Sequence, residues 1–438
     1  MKQIILISAG LLLSLNILTA QEKLLFENLD SLLNYTEKNS ITLKKGEQLS
    51  LTAKWQKISA KTGLINFKIQ TSFNMTDNIE LPVTYLPAEA FGGTPGTFKE
   101  VTTGQKYISN LNIIPQIDII NPESWAKLKS ANINYKLTDI NNLTVKKALF
   151  ESIAASYYNI ISLQEQIKIT ENTLLTADSL LSNMQNKYDN GIVRLQDLND
   201  MKVNKITTAD KLQQLKITLE KQYYSLKILC DIPEETTLTV NEQPDYKPEY
   251  INNPEIQNNL KYRQALLNIE LAEAEVKKTK FMQLPVVSLV SYNAWQQNSN
   301  VQFFDPDRNW ISPRYVGLKI SLPFPSIAAY TQTQTAKINK TISLQNAEQA
   351  KIQNNAENKQ LILDYKKAYS QYISAEKIYK LKEQNYYLAL NQFNHSVLPP
   401  DRLLTAYNDM LISRLNYSNA LAEVLYSKAT IDINNKIK

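Results

Sequence analysis

A helical periodicity across residues 122–188 constrains the fold more than any other feature of the sequence. Apolar and small residues recur there at alternating intervals of three and four, which predicts a heptad seam of four repeats: Ile160, Leu163, Ile167, Thr170, Leu174, Ala177, Leu181, Met184 and Tyr188. A helix rises about 1.5 Å per residue, so one helix over the whole span would be roughly 100 Å long. A globular domain has no use for such a rod. The pattern therefore indicates a tube, a stalk or a coiled-coil scaffold.

A second helical segment, at about residues 195–229, follows a short turn with the sequence KYDNGIVRLQDL at residues 187–198. The segment ends before Pro233, because proline cannot continue a helix. The two segments therefore predict a long helical hairpin, and Gly191 is expected to end the first helix in a left-handed conformation. Residues 234–255, rich in Pro, Glu and Asn, are predicted to be a linker.

A second copy of this pattern occupies the second half of the chain. The step of 25 residues from Asn39 to Leu64, where a strand is predicted to open, is repeated from Asn259 to Leu284. A second long helix is predicted at about residues 330–394, followed by a tip and a return helix that reaches about residue 432. We therefore predict two structural repeats: residues 21–235, with strands 64–75 and 108–120 and a hairpin tip at 188–198, and residues 236–438, with strands 285–295 and 315–323 and a tip at 393–404.

Period-two alternation marks three of these four strands. In LINFKIQTSF, NLNIIPQIDII and VGLKISLP nearly every second residue is apolar, whereas residues 286–295 alternate poorly and are assigned from the repeat. Alternation fits a strand with water on one face and lipid or a core on the other. An ordinary sheet packed on a core is the alternative, but the long helices leave little to cover these faces. Because four strands are too few for a water-filled barrel and open edges are costly in lipid, the chain is expected to close a barrel with copies of itself.

The first twenty residues, MKQIILISAGLLLSLNILTA, are typical of a secretory signal peptide, with Lys2 before a short apolar run and a small residue before Gln21. An uncleaved anchor is the alternative. From Gln21 onward no window of eighteen or more apolar residues occurs, so contact with a membrane is expected to involve strands or a surface rather than a spanning helix.

Composition argues against several functional classes. Only 9 of the 438 residues are glycine, and the abundance of Leu, Ile, Lys, Gln and Asn is typical of long helices. The 48 basic and 42 acidic residues are interspersed, so the net charge of +6 does not indicate a nucleic-acid partner. With 1 His and 1 Cys, and without a phosphate-binding glycine loop, we expect neither a metal site nor a cofactor, and no enzyme activity. Cys230 is interpreted as a buried small residue.

A signal peptide, a duplicated half, two strand pairs and two long helical hairpins together resemble the TolC family of outer-membrane efflux channels. The first tip is similar to the family's tip pattern at Tyr188, Gly191, Ile192, Val193, Asp197 and Leu198. The strand VGLKISLPF resembles the family's strand that ends in a proline before the long helix, with Pro323 in that place. The likeness covers nearly all of residues 23–432.

The resemblance implies a mainly α chain with membrane β-strands, whose long antiparallel hairpins form an α-barrel. Three copies would form a homotrimer with a twelve-stranded transmembrane β-barrel in the lipid of the cell outer membrane and a helical extension into the periplasm. The trimer would be the passive exit duct of a tripartite efflux or secretion system, docking a periplasmic adaptor (membrane fusion) protein and an inner-membrane transporter. A periplasmic coiled-coil scaffold or adaptor without membrane strands is the alternative, and the matching strand pairs in both halves favour the duct.

The resemblance also places adaptor docking at the two hairpin tips. The expected docking residues are Gly191, Ile192 and Val193 in the first tip and Ser396, Val397 and Leu398 in the second. Candidate residues for a pore constriction are Asp197, Asp401 and Arg402, although both aspartates also suit the start of a return helix, where a carboxylate accepts bonds from free amides. The second tip departs from the family pattern at Ser396, Leu398 and Arg402, so its role in gating stays open.

Four further residues have two interpretations each. His395, beside the second tip, could titrate near neutral pH or be a plain turn residue. Trp295, Trp310 and Tyr315 could lie at a membrane interface or pack within outer loops.

Overall fold

The computed structural model describes residues 23–241, 248–252, 254–324, 327–395 and 397–437. The predicted signal peptide and Ser396 lie outside the described residues. The helices are α1 (Leu29–Asn39), α2 (Ile41–Thr62), α3 (Pro122–Asp189), α4 (Leu195–Cys230), α5 (Leu260–Phe281), α6 (Ile327–Asn394) and α7 (Pro400–Lys436). The strands are β1 (Lys23–Phe26), β2 (Asn66–Asp77), β3 (Val83–Pro87), β4 (Phe98–Thr102), β5 (Tyr107–Ile120), β6 (Thr237–Val240), β7 (Val286–Ser299) and β8 (Arg314–Ser321). The prediction of a mainly helical chain with a few strands is confirmed.

The chain divides into two compact units. The hairpin unit comprises Met1–Gly46, Asn142–Leu260 and Gln353–Lys438, and the sheet unit comprises Glu47–Asn141 and Lys261–Ile352. The long helices α3 and α6, of 68 residues each, contribute to both units. The division into two sequence repeats stays a prediction.

The sheet unit contains a four-stranded antiparallel sheet in the order β2-β5-β7-β8, together with most of α2 and α5 and parts of α3 and α6. One row of its register places Phe67, Ile117, Leu289 and Leu318 side by side, and this row belongs to an apolar face. That face is open to the surroundings, since 56% of Phe67 and 70% of Leu318 are exposed. Among the described residues, neither β2 nor β8 has a partner strand on its outer edge.

The opposite face of the sheet is polar. Its register places Asn66, Asp118, Ser288 and Lys319 in one row. The Asp118 carboxylate is only 3% exposed and accepts hydrogen bonds from Asn66 Nδ2 at 2.8 Å, Gln116 Nε2 at 2.9 Å and Ser288 Oγ at 2.7 Å. A buried carboxylate needs such partners, so this network ties three strands together.

Long antiparallel helices form most of the hairpin unit. All nine residues of the predicted seam on α3 are buried or half-buried, which fits the predicted seam. Burial also raises the pKa of the Cys230 thiol to about 11, which fits its interpretation as a packed small residue. No helix among the described residues is both long and apolar enough to cross a membrane.

Two pairs of strands differ from the sequence prediction. The linker predicted at residues 234–255 contains β6, which pairs in parallel with β1 from Lys23↔Thr237 to Phe26↔Val240. The two strands are far apart in sequence, so no local sequence pattern predicts their pairing. In the connection after β2, where the sequence predicts no strand, β3 and β4 form a hairpin from Val83↔Thr102 to Pro87↔Phe98.

Candidate functional site: the two hairpin tips

The first tip is a left-handed helix terminus built on Gly191. The φ angle of Gly191 is 72°, and its amide donates to the Tyr188 carbonyl at 2.8 Å. The next amide, of Ile192, reaches back five residues to the Lys187 carbonyl, also at 2.8 Å. This pair of bonds is the Schellman arrangement, which satisfies carbonyls that the end of a helix would otherwise leave free. The predicted conformation of Gly191 is confirmed.

The two apolar residues after the glycine have different surroundings. Ile192 is 61% exposed, whereas Val193 is half-buried against a group of buried side chains that we call the tip cluster. The tip cluster consists of Leu180, Met184, Leu198, Met201, Tyr386, Ala389, Phe393, Leu403 and Tyr407. Val193 therefore stabilises the turn, and Ile192 is left available at the surface.

Asp197 closes the start of α4. Its carboxylate accepts a bond from the backbone amide of Arg194 at 3.1 Å and from the Arg194 guanidinium at 2.9 Å and 3.2 Å. The hydrogen bond from the Arg194 side chain holds the pKa of Asp197 below its ordinary value. Asp197 is itself buried, so its carboxylate neutralises Arg194 and satisfies a helix-terminal amide.

The second tip reproduces this arrangement with different residues. The amide of Val397 donates to the Gln392 carbonyl five residues earlier at 2.9 Å, matching the bond made by Ile192. Val397 is 75% exposed, and Leu398 is half-buried against the tip cluster, as Val193 is in the first tip. The sequence suggested that the two tips differ; their exposed and anchored apolar residues nevertheless correspond in place. Pro400 then begins α7, where its fixed φ angle suits a first helical position.

The candidate constriction residues do not form one group. Asp197 and Asp401 both line a groove of about 740 Å³ between α4 and α7, whereas Arg402 does not line it. Asp401 and Arg402 are exposed at the start of α7. The negative charges of Asp401 and Asp200 add to that of Asp197 in raising the pKa of Arg194. Their proposed part in a constriction stays a prediction.

Three contacts that the sequence did not predict join the two hairpins. The Lys187 ammonium lies 3.9 Å from the centre of the Phe393 ring and donates to the Phe393 carbonyl at 3.1 Å. The Tyr407 hydroxyl donates to the Thr173 carbonyl at 2.5 Å. Lys187 lies inside the quoted tip motif, but only the folded chain reveals its aromatic partner. Together these contacts hold the two tips as one surface.

Across the part of the chain that the structure describes, no three His, Cys, Asp or Glu side chains are grouped so that they could hold a metal ion. His395 follows directly after α6, and its amide donates to the Asn391 carbonyl at 3.1 Å.

Solved structures with the same fold are bacterial outer-membrane proteins. The outer membrane protein VceC of Vibrio cholerae matches with a TM-score of 0.74 and 15% identity, over 93% of this chain and 96% of that one. The CmeC outer membrane channel of Campylobacter jejuni matches with a TM-score of 0.74 and 16% identity, over 94% and 86%. The open state of the Neisseria gonorrhoeae MtrE outer membrane channel matches with a TM-score of 0.69 and 13% identity, over 94% and 90%.

No protein-family model matches the sequence, and no curated protein matches it. The structural likeness spans nearly the whole of both chains, so the fold is that of these outer-membrane proteins. The resemblance inferred from the tips, strands and duplicated halves is thereby confirmed at the level of the fold.

Proposed function

We propose that this chain is one subunit of a trimeric outer-membrane channel, the passive exit duct of a tripartite efflux or secretion system. The observation that carries the proposal is the match to outer-membrane channels over nearly the full length of both chains. In this arrangement the sheets of three copies join into a twelve-stranded barrel in the membrane. The helical hairpins extend into the periplasm, where their tips dock an adaptor that belongs to an inner-membrane transporter.

The sheet supports the membrane part of the proposal. Its apolar face exposes Phe67, Ile69, Val316, Leu318 and Ile320, and these side chains are 56–71% exposed. Leaving so much apolar surface in water would be unfavourable by roughly 25 cal/mol for each Å². Lipid would cover the face, and pairing of β2 with β8 of the next copy would satisfy the backbone groups at both open edges.

The tips support the docking part of the proposal. Ile192 and Val397 are exposed on two turns, and the neighbouring residues Val193 and Leu398 pack against the tip cluster. Exposed apolar residues on a well-anchored surface are typical of a site that a partner protein covers. The alternative function, a coiled-coil scaffold or adaptor without membrane strands, leaves the apolar face of the sheet without a covering partner.

Membrane extraction tests the assembly. The mature protein is expected to remain in the outer-membrane fraction after washing with urea or carbonate, and to migrate as a trimer after mild detergent extraction. Recovery as a soluble periplasmic protein would contradict the duct and favour the scaffold.

Paired tip variants test docking. In cells that lack the natural copy, a panel of dyes, detergents and antibiotics first identifies a compound to which the chain restores resistance. Ile192→Glu combined with Val397→Glu is expected to abolish that resistance while trimer yield is unchanged, because a partner would have to bury two charges. Gln196→Glu is the matched control, since it adds charge at the same tip without removing an apolar contact. Normal resistance in the double variant would show that the exposed residues do not dock a partner.

A further inference from the structure

The connection between β7 and β8, residues 300–313, folds back onto the apolar face of the sheet. Gln297 Nε2 donates to the Asp305 carbonyl at 2.7 Å and to the Arg308 carbonyl at 2.8 Å. Ser299 Oγ donates to the Asp305 carboxylate at 2.5 Å, and the Asp307 amide donates to the same carboxylate at 3.0 Å. Asp305 is 6% exposed, so these bonds fasten the connection at a buried point.

The register shows which face the connection covers. Ser109 pairs with Gln297 and Leu111 pairs with Trp295, so all four side chains lie on the same face as Phe67 and Leu318. Ser109 and Gln297 are 1% and 4% exposed, because the connection lies over them. It thus covers a polar end of an otherwise apolar face.

Above these covered polar groups, the connection places aromatic rings at the surface. Phe304 stacks on Phe73 of β2 with the ring centres 6.0 Å apart, and Trp310 lies 6.2 Å from Phe304. Between 42% and 50% of each of these three side chains is exposed. The φ angle of Phe304 is 55°, a left-handed conformation that a bulky residue rarely adopts. With this backbone conformation, the Phe304 ring reaches past β5 and contacts Phe73 of β2.

Two cations lie against other aromatic rings near this end of the sheet, those of Trp295 and Tyr107. The Arg314 guanidinium lies 5.4 Å from the centre of the Trp295 ring, and the Lys106 ammonium lies 5.3 Å from that of Tyr107. Arg308 is exposed on the connection itself. Aromatic rings with neighbouring cations fit the boundary of a bilayer, where hydrocarbon meets anionic headgroups.

We propose that the β7–β8 connection is a lipid-interface anchor, in which Phe73, Phe304 and Trp310 lie at the boundary between hydrocarbon and headgroups and Arg308 and Arg314 face headgroup phosphates. The proposal rests on the membrane assignment of the sheet in the proposed function. The patch continues the apolar face that lipid would cover, and the cations beside it complement anionic lipid. A neighbouring copy of the chain is the competing occupant.

Depth-dependent quenching tests the anchor. The full-length trimer is reconstituted in vesicles that contain anionic lipid and phosphatidylcholine brominated either near the headgroup or near the chain ends. A variant with Trp55→Phe, Trp125→Phe and Trp295→Phe retains Trp310 as its only tryptophan. Its emission is expected to fall strongly with bromine near the headgroup and little with bromine near the chain ends. A second comparison, of the unaltered chain with Trp310→Phe, gives the same information without multiple substitutions.

Trp55 provides the matched control, because it is 67% exposed but lies on α2, outside the sheet. A variant that retains only Trp55 is expected to lose no emission with either lipid. Vesicles that float with the protein but leave Trp310 unquenched would overturn the anchor alone. If Trp310 is then also shielded from aqueous iodide, a neighbouring copy covers it; if iodide quenches it, the connection lies in water. Failure of the protein to float with vesicles at all would instead contradict the proposed membrane function.

Discussion

Gly191 ends α3 with a backbone conformation that few other residues adopt. A Cβ atom built on Gly191 would meet no atom within 4 Å, so the cost of a side chain there is conformational rather than steric. We expect Gly191→Ala to weaken the tip by about 1–2 kcal/mol, the left-handed penalty of an L residue, and Gly191→Asn to weaken it less. Faster amide exchange at residues 188–195 would report the change. Gly317→Ala is the control, since that glycine has open space and no left-handed φ angle; equal effects at both sites would contradict the explanation.

Asp197 makes the stability of the first tip depend on pH. Its pKa is lowered on folding by the bond from Arg194, so the stabilisation is present above the unfolded pKa of about 3.9 and is lost as the pH falls through the lowered value. A spin label at Gln196→Cys, with Cys230→Ser, is expected to show constant mobility from about pH 8 to 5 and greater mobility below about pH 4. Asp197→Asn should remove this dependence. A variant that keeps it would assign the transition to another carboxylate.

Local chemistry decided which residue-scale features could be predicted. The conformation of Gly191 and the capping position of Asp197 follow from neighbours within a few residues. The different exposures of Ile192 and Val193 do not, because Val193 packs against the tip cluster, whose members come from α3, α4, α6 and α7. The equivalent positions of Val397 and Ile192 could not be predicted from the sequence either, since the second tip lacks the glycine of the first.

At the scale of the helices, Phe393 is the residue through which one hairpin supports the other. It is 2% exposed within the tip cluster, and Lys187 covers its ring. We expect Phe393→Ala to cost about 3–5 kcal/mol and to loosen both tips. Limited digestion with trypsin should then cut after Lys187 or Arg194 sooner than in the unaltered chain. Leu388→Ala, at a position on the same helix that is 61% exposed, should leave the cleavage rate unchanged; equal cleavage in the two variants would contradict this role of Phe393.

The long helices could be located from sequence to within a few residues, because their apolar periodicity is sustained and their ends carry Gly or Pro signals. The pairing of β1 with β6 could not, since a parallel pair of four-residue strands depends on a partner supplied by the opposite end of the first half of the chain. The same limit applies to the β7–β8 connection. No local signal indicates that Gln297, near the end of β7, fastens residues 305 and 308 over the sheet.

At the scale of the whole molecule, the sheet is the part whose apolar face and two edge strands lack a partner among the described residues. Its apolar face is open, and β2 and β8 are outer edges among the described residues. Sequence periodicity could indicate one apolar face, but it could not show that no helix covers it. The exposure of that face within the described chain supports the proposed assembly in a membrane.

A change of charge on the apolar face of β8 should therefore have a larger effect than a change of charge on its polar face. Leu318 lies on the open apolar face, whereas Lys319 lies on the polar face beside Ser288. We expect Leu318→Arg to cost about 2–4 kcal/mol per chain in the bilayer, because lipid cannot solvate the guanidinium, and to reduce the carbonate-resistant trimer. Lys319→Gln changes charge on the adjacent residue and should leave trimer yield intact, because in the proposed barrel that side chain faces water. A scaffold that stays in the periplasm would tolerate both substitutions equally, so the contrast between the two variants tests which side of the sheet meets lipid.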